Sequence, residues 1–154
     1  MQARMKSPAL ILPDVFKSLQ ALSQASEDAG VPGKTLALVH LRASQINGCG
    51  VCCDMHPRIM KKAGETDARI LGVSAWREMP YYSDPERAAL ALTEALTRIA
   101  DREDPVPDAV WDRAAEQYDE KQMSALVVAI ASINVWNRLN VATRQIAGQT
   151  GWEP

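Results

Sequence analysis

Apolar positions recur at helical spacing along most of this chain and nowhere alternate over the length of a strand. A first helix opens at Pro13-Asp14 and runs to about Ala29, with Val15, Leu19 and Leu22 on one side. The stretch "GVPGK" breaks it, since Gly30 suits the position after a helix and Pro32 the start of another. A second helix spans Lys34 to about Gln45 and carries Ala37, Leu38 and Leu41 on one side. Asn47-Gly48 is a turn signal, after which a third helix runs from near Cys49 to Ala63-Gly64, with a kink or restart at Pro57. "ETDARILGVSAW" is a short helix capped by Thr66, with Glu65 a solvated residue at its start. "SDPERAALALTEALTRIA" is a longer one, capped by Ser83 or Asp84 with Pro85 in its first turn. Asp108 to Gln117 forms another helix, and Asp119 caps a last one reaching about Gly148. That last helix is apolar on most sides, from Leu126 through Ile130 and Ile133 to Leu139, so it is central to the core, covered by a partner chain, or both.

The pattern therefore predicts an all-α fold of about six to eight helices. The 154 residues are expected to form a single domain over 1–154. A net charge of −2 with no Lys/Arg cluster argues against a nucleic-acid or anionic-membrane partner. The longest apolar runs look short for a bilayer span, and the basic start "MQARMKSPALILPD" has too brief an apolar run for a signal peptide. A reducing cytoplasmic setting is the expectation, and there closely spaced cysteines bind metal or do chemistry more often than they staple a fold.

The stretch "INGCGVCCDMHP" brings together all three cysteines and one of the two histidines. On a helix, Cys49, Cys52, Cys53 and His56 stand at i, i+3, i+4 and i+7, within one stripe. Three readings follow: a metal site, a redox site, or buried thiols beside an incidental imidazole. Four ligands on one stripe spread over roughly 10 Å of axis at about 1.5 Å per residue, too far to close on one zinc ion without a second arm. No such arm exists, so no metal and no cofactor is expected. The redox reading fits better. Cα atoms three apart on a helix lie roughly 5 Å from each other, within disulfide reach. A first-turn cysteine also sees the positive helix end, and His56 can contact Cys52 or Cys53. Free cysteine also behaves as a small buried hydrophobe, and Cys53 taken singly is read as packing.

The segments "LVHLRASQINGCGVCCDMHPRIMKKAGE", "AWREMPYYSDPERAALALTEALT" and "AIASINVWNRLNVATR" together resemble the carboxymuconolactone decarboxylase superfamily, in its alkylhydroperoxidase (AhpD-like) branch. The resemblance covers about residues 36 to 144. It implies an all-α bundle with the Cys-X-X-Cys at the N-terminal end of a central helix, and assembly into trimers or hexamers. It also implies reduction of a small hydroperoxide, with a dithiol reductant restoring the enzyme. By the same resemblance Cys52 matches the peroxidatic cysteine, Cys49 the resolving cysteine and His56 the proton-relay histidine.

One position departs from that pattern. The peroxidases carry a glutamate twelve residues before the first cysteine, and here Ala37 stands there. Either His40, one turn further along, enters the relay, or the relay is shorter and slower. A thiol–disulfide oxidoreductase or redox-responsive binding module with little peroxidase turnover is the alternative, and a decarboxylase or lactone-processing enzyme ranks last. Trp76, Arg77, Glu78, Glu86 and Arg87 are read as a packed indole and interhelical ion pairs. Asn134, Trp136, Asn137 and Arg138 are read as buried hydrogen bonds that specify packing.

Overall fold

The computed structural model describes residues 1–149 of the chain; residues 150–154 of the expected domain lie outside the described residues. Among the described residues there are eight α-helices and no strand: α1 (Pro8–Ile11), α2 (Pro13–Glu27), α3 (Gly33–Asn47), α4 (Gly50–Lys62), α5 (Asp67–Gly72), α6 (Asp84–Thr97), α7 (Asp108–Ala115) and α8 (Glu120–Thr143). The all-α expectation holds. α1 was not foreseen, because four residues leave no periodicity to read. α8 stops at Thr143 rather than near Gly148, where Arg144 takes a left-handed conformation (φ 53°) and ends the helix. α4 continues through Pro57 as one helix instead of restarting there.

Local chemistry explains the strongest elements. Ser83 and Glu86 form a reciprocal capping box at the start of α6, and Asp119 with Gln122 does the same for α8. α3 is apolar on two sides because it separates two core clusters. Leu36 and Val39 pack with Leu92, Leu126 and Ile130, while Leu38 and Leu41 pack with Met60, Val73 and Leu90. α8 supplies the other wall of the first cluster. By length and composition α8 could cross a membrane, more than its apolar run suggested, but half of its most apolar stretch is buried inside this chain.

A buried carboxylate ties α3, α6 and the turn after α5 together. Glu94, 4% exposed, accepts from Arg42 Nε at 2.7 Å, Trp76 Nε1 at 2.9 Å and Arg77 Nη1 at 2.6 Å. Burial pushes its pKa up, but those hydrogen bonds outweigh it and hold the carboxyl below its ordinary range. A second cluster joins Arg69 to Glu65 at 2.9 Å and to Glu86 at 2.5 Å. Glu65 does stand at the start of α5, its Oε1 accepting Thr66 N–H at 3.0 Å, but it is enclosed by an ion pair rather than solvated, a correction to that part of its reading. Arg87 differs too: its guanidinium donates to the carbonyls of Trp76, Arg77, Met79 and Tyr82 instead of to a carboxylate.

Removing Glu94 leaves the largely enclosed Arg42 without its counter-charge. Glu94→Ala should cost about 3 kcal/mol, read as a lowered urea midpoint at unchanged denaturant slope.

Candidate active site around Cys49 and Cys52

The turn between α3 and α4 sets the site. Gly48 adopts φ 67° and its N–H donates to Gln45 O, while Cys49 N–H donates to Ser44 O at 3.0 Å. This is the six-residue helix stop that favours glycine, and it reverses the chain within one residue. Cys49 is left as the N-cap of α4, its Sγ accepting Cys52 N–H at 3.4 Å. Cys49 and Cys52 are joined as a disulfide with Cα atoms 5.4 Å apart, and each is 1% exposed.

α8 lays a stripe of asparagines against this turn. Asn137 Nδ2 donates to Cys52 Sγ at 3.2 Å and to Ser44 Oγ at 3.1 Å, and its Oδ1 accepts Asn47 Nδ2 at 2.8 Å. Asn134 Oδ1 accepts from the same Asn47 Nδ2 at 2.9 Å, and Asn134 Nδ2 donates to Thr97 Oγ1 at 3.2 Å. Arg138 Nη1 donates to Asn134 Oδ1 at 3.1 Å, and Trp136 stacks edge-on against Phe16 of α2. Asn140, which the sequence reading passed over, points Nδ2 at Cys52 Sγ (3.6 Å) and Cys49 Sγ (3.9 Å). Its signal was the three-residue spacing of Asn134, Asn137 and Asn140. Neutral N–H donors aimed at a sulfur favour its anionic form.

His56 lies one turn beyond Cys52 on α4, 8% exposed, and its Nε2 is buried without a hydrogen-bond partner. His40 of α3 faces it, the ring centroids 5.3 Å apart. Burial, together with the neighbouring His40, lowers the pKa of His56 to about 3, and burial lowers His40 to about 4 although it also lines a cavity. Both imidazoles are thus neutral near pH 7. That cavity, about 420 Å³, lies between α2, α3, α4 and α8; Ala37, His40, Cys52, His56 and Asn140 are all on its wall. Cys53 is half-buried and apart from it; burial pushes its thiol pKa up. Among the described residues no group of three or more His, Cys, Asp or Glu is placed to hold a metal ion.

A helical fold with a Cys-X-X-Cys capping one helix and a histidine one turn on defines a class of thiol-bearing bundle. Residues 13–95 match the carboxymuconolactone decarboxylase family, and the chain belongs to that family. It is 39% identical over 132 residues to the uncharacterized protein YdfG of Bacillus subtilis, covering 86% of this chain and 88% of that one. A crystal structure of an Agrobacterium tumefaciens protein of unknown function, named as a candidate antioxidant defence protein AhpD, superposes with a TM-score of 0.87 at 34% identity. The match covers 95% of this chain and 98% of that one. The debrominase Bmp8 shares the fold with a TM-score of 0.78 at 19% identity, over 90% of this chain and 73% of its own.

Lowered histidine pKa values have a definite sign. Between about pH 6.5 and about 4 the unfolded chain binds protons that the folded disulfide form does not. Stability should therefore fall as pH drops through that window. NMR titration of the oxidised protein should place both imidazole midpoints below about pH 5.

Proposed function

We propose that this chain is a thiol-dependent hydroperoxide reductase, with Cys52 attacking, Cys49 resolving, and His56 and His40 relaying the proton. The supporting observation is the setting of Cys52: its sulfur meets the Asn137 amide at 3.2 Å, and it shares a cavity wall with the unpartnered His56. In the reduced protein the Cys52 thiolate attacks the distal peroxide oxygen and the O–O bond breaks. The relay hands a proton to the departing alkoxide, which leaves as an alcohol. Cys49 then attacks the sulfenic sulfur, water leaves and the disulfide forms. A dithiol, or two thiols in turn, returns two electrons and two protons by exchange. The reading includes a homo-oligomer of three or six chains, supported by Val135 and Val141, apolar residues exposed on α8.

A second reading, thiol–disulfide exchange with little peroxidase turnover, is favoured by Ala37. Its methyl lies on the cavity wall with both histidines and offers no carboxylate to orient them. Reaction of the reduced protein with cumene hydroperoxide separates the two. For the peroxidase, Cys52→Ser abolishes peroxide consumption and Cys49→Ser accumulates a sulfenic acid trapped by dimedone. Slow oxidation spread over all three cysteines would favour exchange.

Ala37→Glu should raise the peroxide rate by roughly 10-fold or more, the carboxylate holding the adjacent imidazole in orientation. Single-turnover kinetics of loss of the Cys52 thiol provide the check.

A further inference from the structure

Two openings reach the disulfide, and they differ in chemistry. The large cavity has Cys52 on its wall but not Cys49. A smaller pocket, about 190 Å³, has Cys49 on its wall but not Cys52. Its rim includes the exposed residues Gly48, Gly50, Val141 and Arg144, so it faces solvent. Asn140 lies on both walls; it is 2% exposed, and its Oδ1 is buried without a hydrogen-bond partner.

Displacement at a disulfide sulfur follows the line of the breaking bond, so the nucleophile arrives opposite the leaving sulfur. A thiolate in the small pocket meets Cys49 and expels Cys52; one in the large cavity does the reverse. Charge decides between them. In the large cavity an anion sheds water against apolar side chains such as Leu36, Met55 and Ile133, beside imidazoles that are uncharged. In the small pocket it approaches the positive end of α4 and Arg144, whose side chain makes no ion pair or hydrogen bond among the described residues.

The geometry points to a division of labour: the electron donor is a slender small-molecule thiol bearing an anionic group, which enters the small pocket and attacks Cys49 Sγ, leaving the large cavity to the oxidising substrate. This rests on the reading of Cys49 and Cys52 as a redox pair, and concerns its reducing half alone. The incoming thiolate forms a bond to Cys49 as the Cys49–Cys52 bond breaks. The electron pair leaves on Cys52, where Asn137 Nδ2 already stands 3.2 Å away. A second thiol then displaces Cys49 and leaves the donor as its disulfide. Two electrons and two protons have passed to the cysteines.

The test starts from the oxidised full chain without any peroxide, so a protein lacking peroxidase activity can still pass it. Reduction is followed with 2-mercaptoethanesulfonate, 2-mercaptoethanol and cysteamine, each rate corrected for thiolate concentration, and the mixed disulfide is acid-quenched and mapped. The adduct should sit on Cys49. The sulfonate should react about 3-fold faster than the cationic thiol, a preference that disappears in Arg144→Asn and in high salt. At Gly50, on the pocket wall, an added Cβ meets nothing within 4 Å, so Gly50→Leu adds bulk at the pocket mouth with no clash at its Cβ. That variant should slow reduction by roughly 10-fold by closing access, and more than it slows oxidation by cumene hydroperoxide. An adduct on Cys52, or an undiminished reduction rate in Gly50→Leu, overturns the proposal.

Discussion

A buried side-chain amide is costly unless its donors and its acceptor are filled, and at Asn137 filling them brings three helices into register. Its nitrogen serves Ser44 of α3 and Cys52 of α4, and its oxygen takes the Asn47 amide at the end of α3. Each bond left unmade at this depth costs about 1–3 kcal/mol. The left-handed step at Gly48 is what lets α3 end on Asn47 and α4 start on Cys49 within this reach. Packing of α8 on the α3–α4 turn is thus inseparable from the environment of Cys52.

Charge is arranged around this centre rather than in it. Glu94 gathers Arg42, Trp76 and Arg77, and Arg69 gathers Glu65 and Glu86, so the strong ion pairs secure α5, α6 and the outer side of α3. The sulfurs see amides and uncharged imidazoles instead. A thiolate here is stabilised by fixed dipoles, which need not rearrange when its charge appears.

Much of this was legible in the chain. Capping chemistry marks α6 and α8, Asn47-Gly48 marks the turn, and the Cys-X-X-Cys spacing implies a disulfide that can close within a helix start. The asparagine reading was sound for Asn134 and Asn137 because polar residues on an apolar helix need partners. Asn140 was missed because nothing local says that α8 runs past both sulfurs. Glu94 was missed for a like reason: inside "TEALT" it looks like any surface glutamate, and only the docking of α3 and Trp76 encloses it. The facing of His40 and His56 depends on how α3 rotates against α4, a packing outcome that periodicity leaves undetermined.

The large cavity owes one whole side to α2. Phe16, Gln20, Ser23 and Glu27 form that side, and α2 is seated on α8 through the Phe16–Trp136 edge contact and the Ser23–Ser132 hydroxyl pair at 3.2 Å. Arg4 and Met5 tie the chain before it to Ala142, Thr143 and Gln145 at the far end of α8. The two cysteines, the asparagine stripe and both histidines all lie beyond residue 36, and the hydrogen bonds that the stripe makes to the sulfurs do not involve α2. What the first thirty or so residues contribute is enclosure. Changes in α2 therefore reshape the cavity without touching the amide contacts at the sulfurs, so the two are separately evolvable within one short chain.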